Sequence, residues 1–267
     1  MNARRVGALV LRQGYLLKSS PVRVLPIFAW VLIDIVLWGY ITKYLHTISS
    51  PGFSLVTAFL GAILLWDLFT RVMHGLASAF FEDVWSRNFL NYFSSPLTII
   101  EYLSGLILTS MATSSLALVA MLLVASALFG LSFMAYGFMA IPFLLILVLF
   151  GVALGILGCG VVLRYGPAAE WLIWPLPALL SPFVGVFYPV STLPMWMQMV
   201  AAFLPASYVF EALRTIVAGG TAQASQLAIG VLLAVMYVLL AVWCFSRIYR
   251  TALRLGLVPR YSAESTG

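Results

Sequence analysis

Residues 77–101 read ASAFFEDVWSRNFLNYFSSPLTIIE and form the central polar segment of an otherwise apolar chain. Apolar residues recur in this segment every four positions, whereas most charged and amide side chains fall on the opposite side. The spacing predicts an amphipathic helix over about residues 78–93 that lies along a membrane surface. Asp83 and Arg87 stand four apart with the acid first, which favours the helix, and Pro96 ends it. An amphipathic connector between two membrane spans is the simplest interpretation.

The composition indicates an integral membrane protein. Hydrophobic residues make up 63% of the 267 residues and charged residues 8%, whereas about a quarter of the residues of soluble proteins are charged. The length suits one domain of several spans. Cys159 and Cys244 lie in apolar runs, which favours buried apolar roles over a disulfide or a metal site. The first apolar run is too long for a signal-peptide core, so it predicts a retained span.

The apolar runs predict an all-α protein with six transmembrane helices over residues 25–249. Residues 1–24 form a basic segment, for which an amphipathic helix on an anionic leaflet and an unstructured tail both remain open. The first two spans cover roughly residues 25–42 and 53–70, and Arg71 and His74 mark where the second leaves the membrane. Residues 102–163 carry no charge and divide at Gly130 into two further spans.

Prolines interrupt the chain after Arg164. The predicted fifth span, residues 171–188, contains three of them, and three more follow before residue 206. Broken helices are tolerated at membrane depth only where protein or water satisfies the backbone. We therefore expect a kinked fifth span, then short re-entrant helices over about residues 189–214. A last span covers roughly residues 226–245, and residues 250–267 form a basic tail.

The distribution of basic residues predicts the topology. Twelve of the fourteen lysines and arginines fall in the N-terminal segment, the loop between spans two and three, the Arg164 turn and the C-terminal region, which leaves Lys43 and Arg214 opposite. The positive-inside rule then makes both termini and the central polar segment cytoplasmic. This asymmetry explains the net charge of +6, so no nucleic-acid partner is expected.

Three polar residues are predicted inside the membrane. Asp34 lies in the middle of the first span, where an ionised side chain costs roughly 3 kcal/mol, so a functional role and a structural hydrogen bond are both open. Asp67 and Arg71 are one turn apart, which favours a local ion pair over a gate. Four glycines on the fourth span favour close helix packing, with a hinge as the alternative; they are Gly151, Gly155, Gly158 and Gly160.

The sequence lacks the signatures of several active sites. Neither Lys18 nor Lys43 follows a glycine, so the phosphate-binding loop ending in Gly-Lys-Ser/Thr is missing. His46 and His74 fall on opposite sides of the membrane in the predicted topology, which argues against a shared metal site. The Gly-x-Ser-x-Gly pattern of a nucleophile elbow is also missing. We expect no catalytic residue, bound metal or cofactor in this chain.

Two segments are similar to those of a known family. Residues 81–105, which include FED, SPLT and EYLSG, resemble the coupling segment of type-2 ABC exporter permeases. Residues 187–194, FYPVSTLP, followed by Leu204-Pro205 and by EALR at residues 211–214, resemble the segment between the family's fifth and sixth spans. The order and spacing of these motifs, together with six predicted spans, extend the resemblance over nearly the whole chain.

The resemblance implies a multi-pass permease of the bacterial inner membrane that acts as a homodimer or a paralogous heterodimer. Two copies of a separate ABC ATPase would bind ATP and Mg²⁺ and grip the coupling helix. Phe81, Trp85 and Phe89 would provide the apolar contact, and Glu82, Asp83 and Arg87 its polar rim. The re-entrant segment would carry the residues Pro189, Pro194, Pro205, Glu211 and Arg214.

The abundance of aromatic residues and the scarcity of intramembrane charge favour amphipathic, hydrophobic or lipid-linked cargo, moved outward. Polysaccharide or lipo-oligosaccharide export is an alternative, because lipid-linked glycans also have an apolar end. A non-transporting membrane scaffold or assembly factor is a second alternative, and an intramembrane lipid-modifying enzyme is a third. Besides the two protein partners, membrane lipid is the only other contact expected.

Overall fold

The computed structural model describes residues 2–19, 21–48, 56–86, 92, 95–131 and 133–254. Within these ranges every regular element is helical, which confirms the predicted all-α class. Nine α-helices lie in the described residues: α1 Ala3–Ser19, α2 Pro21–Ile48, α3 Gly61–Trp85, α4 Ile99–Phe129, α5 Ala140–Tyr165, α6 Leu176–Val184, α7 Met195–Ala202, α8 Pro205–Val217 and α9 Ala224–Arg254. Shorter 3-10 helices cover Phe133–Met139, Pro167–Leu172 and Val190–Thr192, and a π-helical turn at Val56–Leu60 leads into α3.

Four helical segments of the described chain are long and apolar enough to cross a membrane: Ala58–Trp85, Ile99–Phe129, Tyr136–Tyr165 and Ala224–Arg254. A fifth is added if α7 and α8, which are bent by 103° at the break between them, are taken as one span. This is the architecture of a multi-pass membrane protein. The division of the long uncharged region is confirmed, because α4 ends at Gly130, whose φ of 66° suits glycine.

Helix α5 is the centre of the bundle and packs against α3 on one side and α9 on the other. Its glycines allow the close approach. A Cβ atom added to Gly151 would lie 2.9 Å from the Phe69 carbonyl oxygen, and one added to Gly155 would lie 3.1 Å from that of Met73. The structure therefore confirms the predicted packing role for Gly151 and Gly155. The same contacts make α3 and α5 run in the same direction.

Helix α4 runs antiparallel to α3. Its Tyr102 hydroxyl donates to Asp83 near the end of α3, whereas Ser110, two turns further along α4, donates to the Val72 carbonyl oxygen. Helix α9 returns in the direction of α3, because Phe245 near its end packs against Phe80. We call the end of the bundle that holds α1, Trp85 and the start of α4 the α1 end, and the opposite end the far end.

Helix α3 differs from the predicted second span. The span was expected to leave the membrane at Arg71, but the helix continues without a break to Trp85. Residues 78–85 are thus the last two turns of α3 and not the start of a separate surface helix. The physical reason lies in packing: Phe80 and Phe81 are fully buried among the neighbouring helices, and Arg71 is neutralised within the bundle by Asp67.

The proline-rich region is broken as predicted, but it contains no helix of spanning length. Between the end of α5 and α7 the longest helix is α6, with nine residues, whereas a membrane crossing needs about 20. Trp174 packs against His74 of α3, and Phe187 stacks on Trp38 toward the far end. The chain therefore passes along the bundle from the α1 side to the far end in short helices.

Candidate functional site

A cavity of about 860 Å³ opens between α1, α2, α3 and α4. Twenty residues line it, and more than half of them are polar or charged. Charged side chains inside a bundle of apolar helices are costly in a membrane, which makes this cavity the candidate functional site. Trp174, which follows the 3-10 helix after α5, closes one side.

Helix α3 forms the longest wall of the cavity. The lining side chains recur every three or four residues, which places them on one face of the helix. They are Asp67, Thr70, Arg71, His74, Ser78, Glu82 and Trp85. Because an α-helix rises 1.5 Å per residue, Asp67 and Trp85 lie roughly 27 Å apart along the axis. The cavity thus extends from the depth of the bundle to the α1 end.

Helix α4 supplies the opposite wall with hydroxyl groups. Thr109 and Thr113 each donate to a carbonyl oxygen one turn earlier, at 2.9 and 3.1 Å, and Ser110 donates to Val72 of α3 at 2.8 Å. These bonds satisfy the hydroxyl protons within the protein. The hydroxyl oxygens keep lone pairs that can accept a hydrogen bond from a ligand.

The three predicted intramembrane polar residues meet in this cavity. Asp34 reaches it from α2, and Asp67 and Arg71 reach it from α3. Arg71 forms the predicted ion pair with Asp67, and it is also close enough to Asp34 for their charges to interact. One guanidinium therefore serves two carboxyl groups in this part of the cavity.

The α1 end contains a second polar cluster, which we call the α1 lock: Arg12, Asp83, Tyr92 and Tyr102, together with Arg5 and Glu101. Arg12 of α1 lies 2.8 Å from the carboxylate of Asp83, which is fully buried. The Tyr102 hydroxyl donates to the other carboxylate oxygen of Asp83 at 2.8 Å. A buried charge requires this kind of compensation.

Tyr92 completes this side of the α1 lock. The Arg12 guanidinium lies over its ring, 5.3 Å from the centroid, in a cation–π arrangement. Burial and then the Asp83 carboxylate raise the pKa of Tyr92 to about 12, so its hydroxyl remains protonated at neutral pH.

The other half of the α1 lock centres on Glu101. Its carboxylate accepts from the backbone N–H of Asn2 at 2.7 Å and lies 3.4 Å from Arg5. It also accepts from the N–H of Thr98, whose side chain accepts from Glu101 in return, a capping box that starts α4. Leu9, between the two arginines, packs against Gly105. Helix α1 is thus fixed to the bundle by one face.

The sequence did not predict the α1 lock. Its pattern leaves open whether residues 1–24 form a helix on a lipid leaflet or an unstructured tail, and the spacing of four favours a pair of Asp83 with Arg87, which lies outside the described residues. Two signals were available. Arg5, Leu9 and Arg12 are spaced by four and three residues, which puts them on one helical face, and Thr98-x-x-Glu101 has the capping-box pattern.

The structure changes the predicted ATPase contact. Phe81 is 2% exposed and Asp83 is fully buried, so neither is available to a second protein and both are removed from that contact. Their burial follows from the continuation of α3 into the bundle. Trp85 is 61% exposed, and Glu82 is partly exposed beside the cavity. Arg87 and Phe89 lie outside the described residues.

The residues predicted for the re-entrant segment are brought together at the far end. Glu211 of α8 accepts from the N–H of Val190 at 2.7 Å and pairs with Arg214 at 2.7 Å. Arg214 also donates to the Gly185 carbonyl oxygen at 2.6 Å. This arrangement ties the turn around Pro189 to α8, while Pro194 precedes α7 and Pro205 begins α8.

Within the described ranges, no group of three His, Cys, Asp or Glu side chains is arranged to hold a metal ion. His74 packs against Trp174 with ring centroids 4.7 Å apart, and Cys159 is buried with a free thiol.

The fold defines a multi-pass membrane protein whose bundle contains a cavity lined in part by charged and hydroxyl side chains. No protein-family model matches the chain, and no curated protein matches it in sequence.

Proposed function

We propose that this chain is the permease subunit of an ATP-driven exporter of the ABC type. It moves amphipathic, hydrophobic or lipid-linked molecules outward across the bacterial inner membrane. The observation that carries the proposal is the cavity, which holds charged and hydroxyl side chains inside an apolar bundle and continues along α3 to its exposed end at Trp85. Helix α3 would therefore both line the cargo site and transmit movement from the ATPase.

Six crossings are part of this proposal. Residues 167–184 run along the bundle in short helices and would form a broken fifth crossing. Helices α7 and α8 would then form a re-entrant pair at the far end. Arginines of α1, the end of α5 and the end of α9 gather at the α1 end. The positive-inside rule makes that end cytoplasmic.

The energy comes from a partner. Two copies of an ABC ATPase bind ATP and Mg²⁺, and each grips the region that begins at Glu82 and Trp85 and continues through Arg87 and Phe89. Closure of the ATPase pair would push on the end of α3. Because α3 is continuous from Gly61 to Trp85, the displacement would reach the cavity wall directly. A second permease copy, identical or paralogous, completes the assembly.

The size of the cavity favours drug-sized cargo. Ligand pockets for such molecules measure about 300–1,000 Å³, and the present cavity of about 860 Å³ falls in this range. A polysaccharide or lipo-oligosaccharide would occupy it with only its lipid or first sugars. A scaffold or assembly factor would have no need of such a cavity.

The proposal is tested by expressing the chain with the ABC ATPase encoded nearest to its gene. We expect the two proteins to co-purify, and we expect Trp85→Ala to abolish cargo-stimulated ATP hydrolysis in liposomes because the exposed ring grips the ATPase. Trp243→Ala is the matched control, since Trp243 is 57% exposed on α9, away from the cavity. Loss of co-purification in the wild type, or equal activity in both variants, would refute the proposal.

A further inference from the structure

We infer that the cavity recognises a positively charged amine on its ligand and that Asp34 is the residue that binds it. The inference deepens the proposed export function and rests on it for the view that the ligand is cargo. The ligand class is an amphipathic amine of drug size that also carries hydrogen-bond acceptors.

The first argument is charge. The chain as a whole carries a net charge of +6, yet the deep part of the cavity brings two carboxyl groups, Asp34 and Asp67, to a single guanidinium, Arg71. Arg71 is paired with Asp67 and its charge also acts on Asp34, so two carboxyl groups share one guanidinium. An ammonium group on the ligand would supply a second positive charge.

The second argument is the aromatic environment. Trp30 lies one turn before Asp34 on α2, and both side chains line the cavity. Trp174, which packs against His74 of α3, also lines the cavity. Indole faces attract cations through the ring quadrupole, and they also accommodate the apolar part of an amphiphile. A carboxylate next to tryptophans is suited to an ammonium group on an apolar frame, whereas an anionic head group would be repelled by Asp34 and Asp67.

The third argument is an unpaired polar group. Gln13 of α1 lines the cavity and is 7% exposed, and its amide nitrogen has no hydrogen-bond partner among the described residues. A buried donor without a partner costs free energy. A carbonyl or hydroxyl oxygen on the ligand would accept this hydrogen bond, so the ligand is expected to carry an acceptor in addition to its amine.

Binding is measured on the full chain alone, purified in nanodiscs without any ATPase. The probes are a dansyl-labelled long-chain amine and its N-acetylated derivative, which has the same frame without the positive charge. Energy transfer from tryptophan to dansyl reports binding, and protein-free nanodiscs with unlabelled amine as competitor correct for partition into lipid. We expect the amine to bind at least tenfold more tightly than its acetylated derivative.

Asp34→Asn should remove this preference and make the two probes bind equally, because it removes the charge at constant size. Asp34→Glu is the matched control and should keep the preference. It also shows that the position tolerates substitution if Asp34→Asn folds poorly. Equal affinity for both probes in the wild type, a preference retained in Asp34→Asn, or no saturable binding would overturn the inference.

These outcomes are separate from those of the proposed function. Failure of amine selectivity with intact, Trp85-dependent coupling to an ATPase would refute only the ligand class. Selective amine binding without any ATPase partner would leave Asp34 as an amine site and refute ATP-driven export.

Discussion

The buried carboxylate of Asp83 depends on a residue 71 positions earlier in the chain, Arg12. A carboxylate with no exposed surface must be neutralised or paired, and removal of one partner leaves an uncompensated charge. The Tyr102 hydrogen bond compensates only part of this cost. This contact of α1 is therefore made by an arginine that, on a surface helix, would face lipid phosphates.

Arg12→Ala is expected to lower the free energy of unfolding by about 3 kcal/mol, the cost of breaking a buried ion pair. Thermal unfolding in detergent, followed by size-exclusion fluorescence, would measure the loss. Arg4→Ala is the control, because Arg4 is exposed on the same helix. A double variant that also carries Asp83→Leu should recover part of the loss, and equal stability of Arg12→Ala and Arg4→Ala would contradict the ion pair.

Local spacing predicted some of these residues and not others. The pair of Asp67 with Arg71 followed from their separation by one helical turn, and it forms. The same rule favours a pair of Asp83 with Arg87, which lies outside the described residues, but it does not reveal the pair of Asp83 with Arg12. Periodicity describes neighbours on one helix and carries no information on which helices meet, so long-range partners were beyond it.

At the scale of elements, the contact between α3 and α5 depends on Gly151. A Cβ atom at this position would stand 2.9 Å from the Phe69 carbonyl oxygen and 3.1 Å from Val72. Backbone cannot yield as a flexible side chain can, so the helices must separate to accept a larger residue. In membranes, where helix association depends on close packing, such small residues are frequent at interfaces.

Gly151→Leu should therefore destabilise the bundle by roughly 1–3 kcal/mol, as overpacking does in other cores. Gly7→Leu on α1 is the matched control, since nothing lies within 4 Å of a Cβ atom there. Melting temperature in detergent is the readout. Similar melting temperatures for the two variants would show that α3 and α5 are not in close contact.

The boundaries of elements were predicted where the chain itself breaks the helix. Gly130 ended α4 as expected, and the prolines after Arg164 limited the helices there to short pieces. The second span was predicted to end near Thr70, with Arg71 and His74 marking its exit from the membrane, whereas helix α3 continues to Trp85. A charge inside a helix does not end it when a partner such as Asp67 neutralises it.

For the whole molecule, the orientation in the membrane is the decisive prediction. Ser86 is exposed at the α1 end and Thr221 is exposed just before α9 at the far end. In intact cells, a membrane-impermeant maleimide should label Thr221→Cys and leave Ser86→Cys unlabelled until the membrane is permeabilised. Variants are made without Cys244, and the buried Cys159 is kept. Labelling of Ser86→Cys in intact cells would exclude a cytoplasmic ATPase at Trp85.

The polar residues that line the cavity could be predicted only in part. Composition indicated the membrane class, and Asp34, Asp67 and Arg71 stood out as charges in apolar runs. Their convergence on one cavity, together with Gln13, follows from the way α1, α2 and α3 pack. That packing depends on how the surfaces of the helices fit together, for example at the glycines of α5. A hydrophobicity pattern does not show this fit.

The α1 lock also has a consequence for biosynthesis. Arg5 and Glu101 are separated by 96 positions, and a ribosome adds roughly 5–20 residues per second. Several seconds therefore pass between the emergence of the first helix and that of its last partner. During this interval α1 remains in the aqueous phase or on lipid head groups. Helices α2 and α3 are therefore inserted before α1 docks.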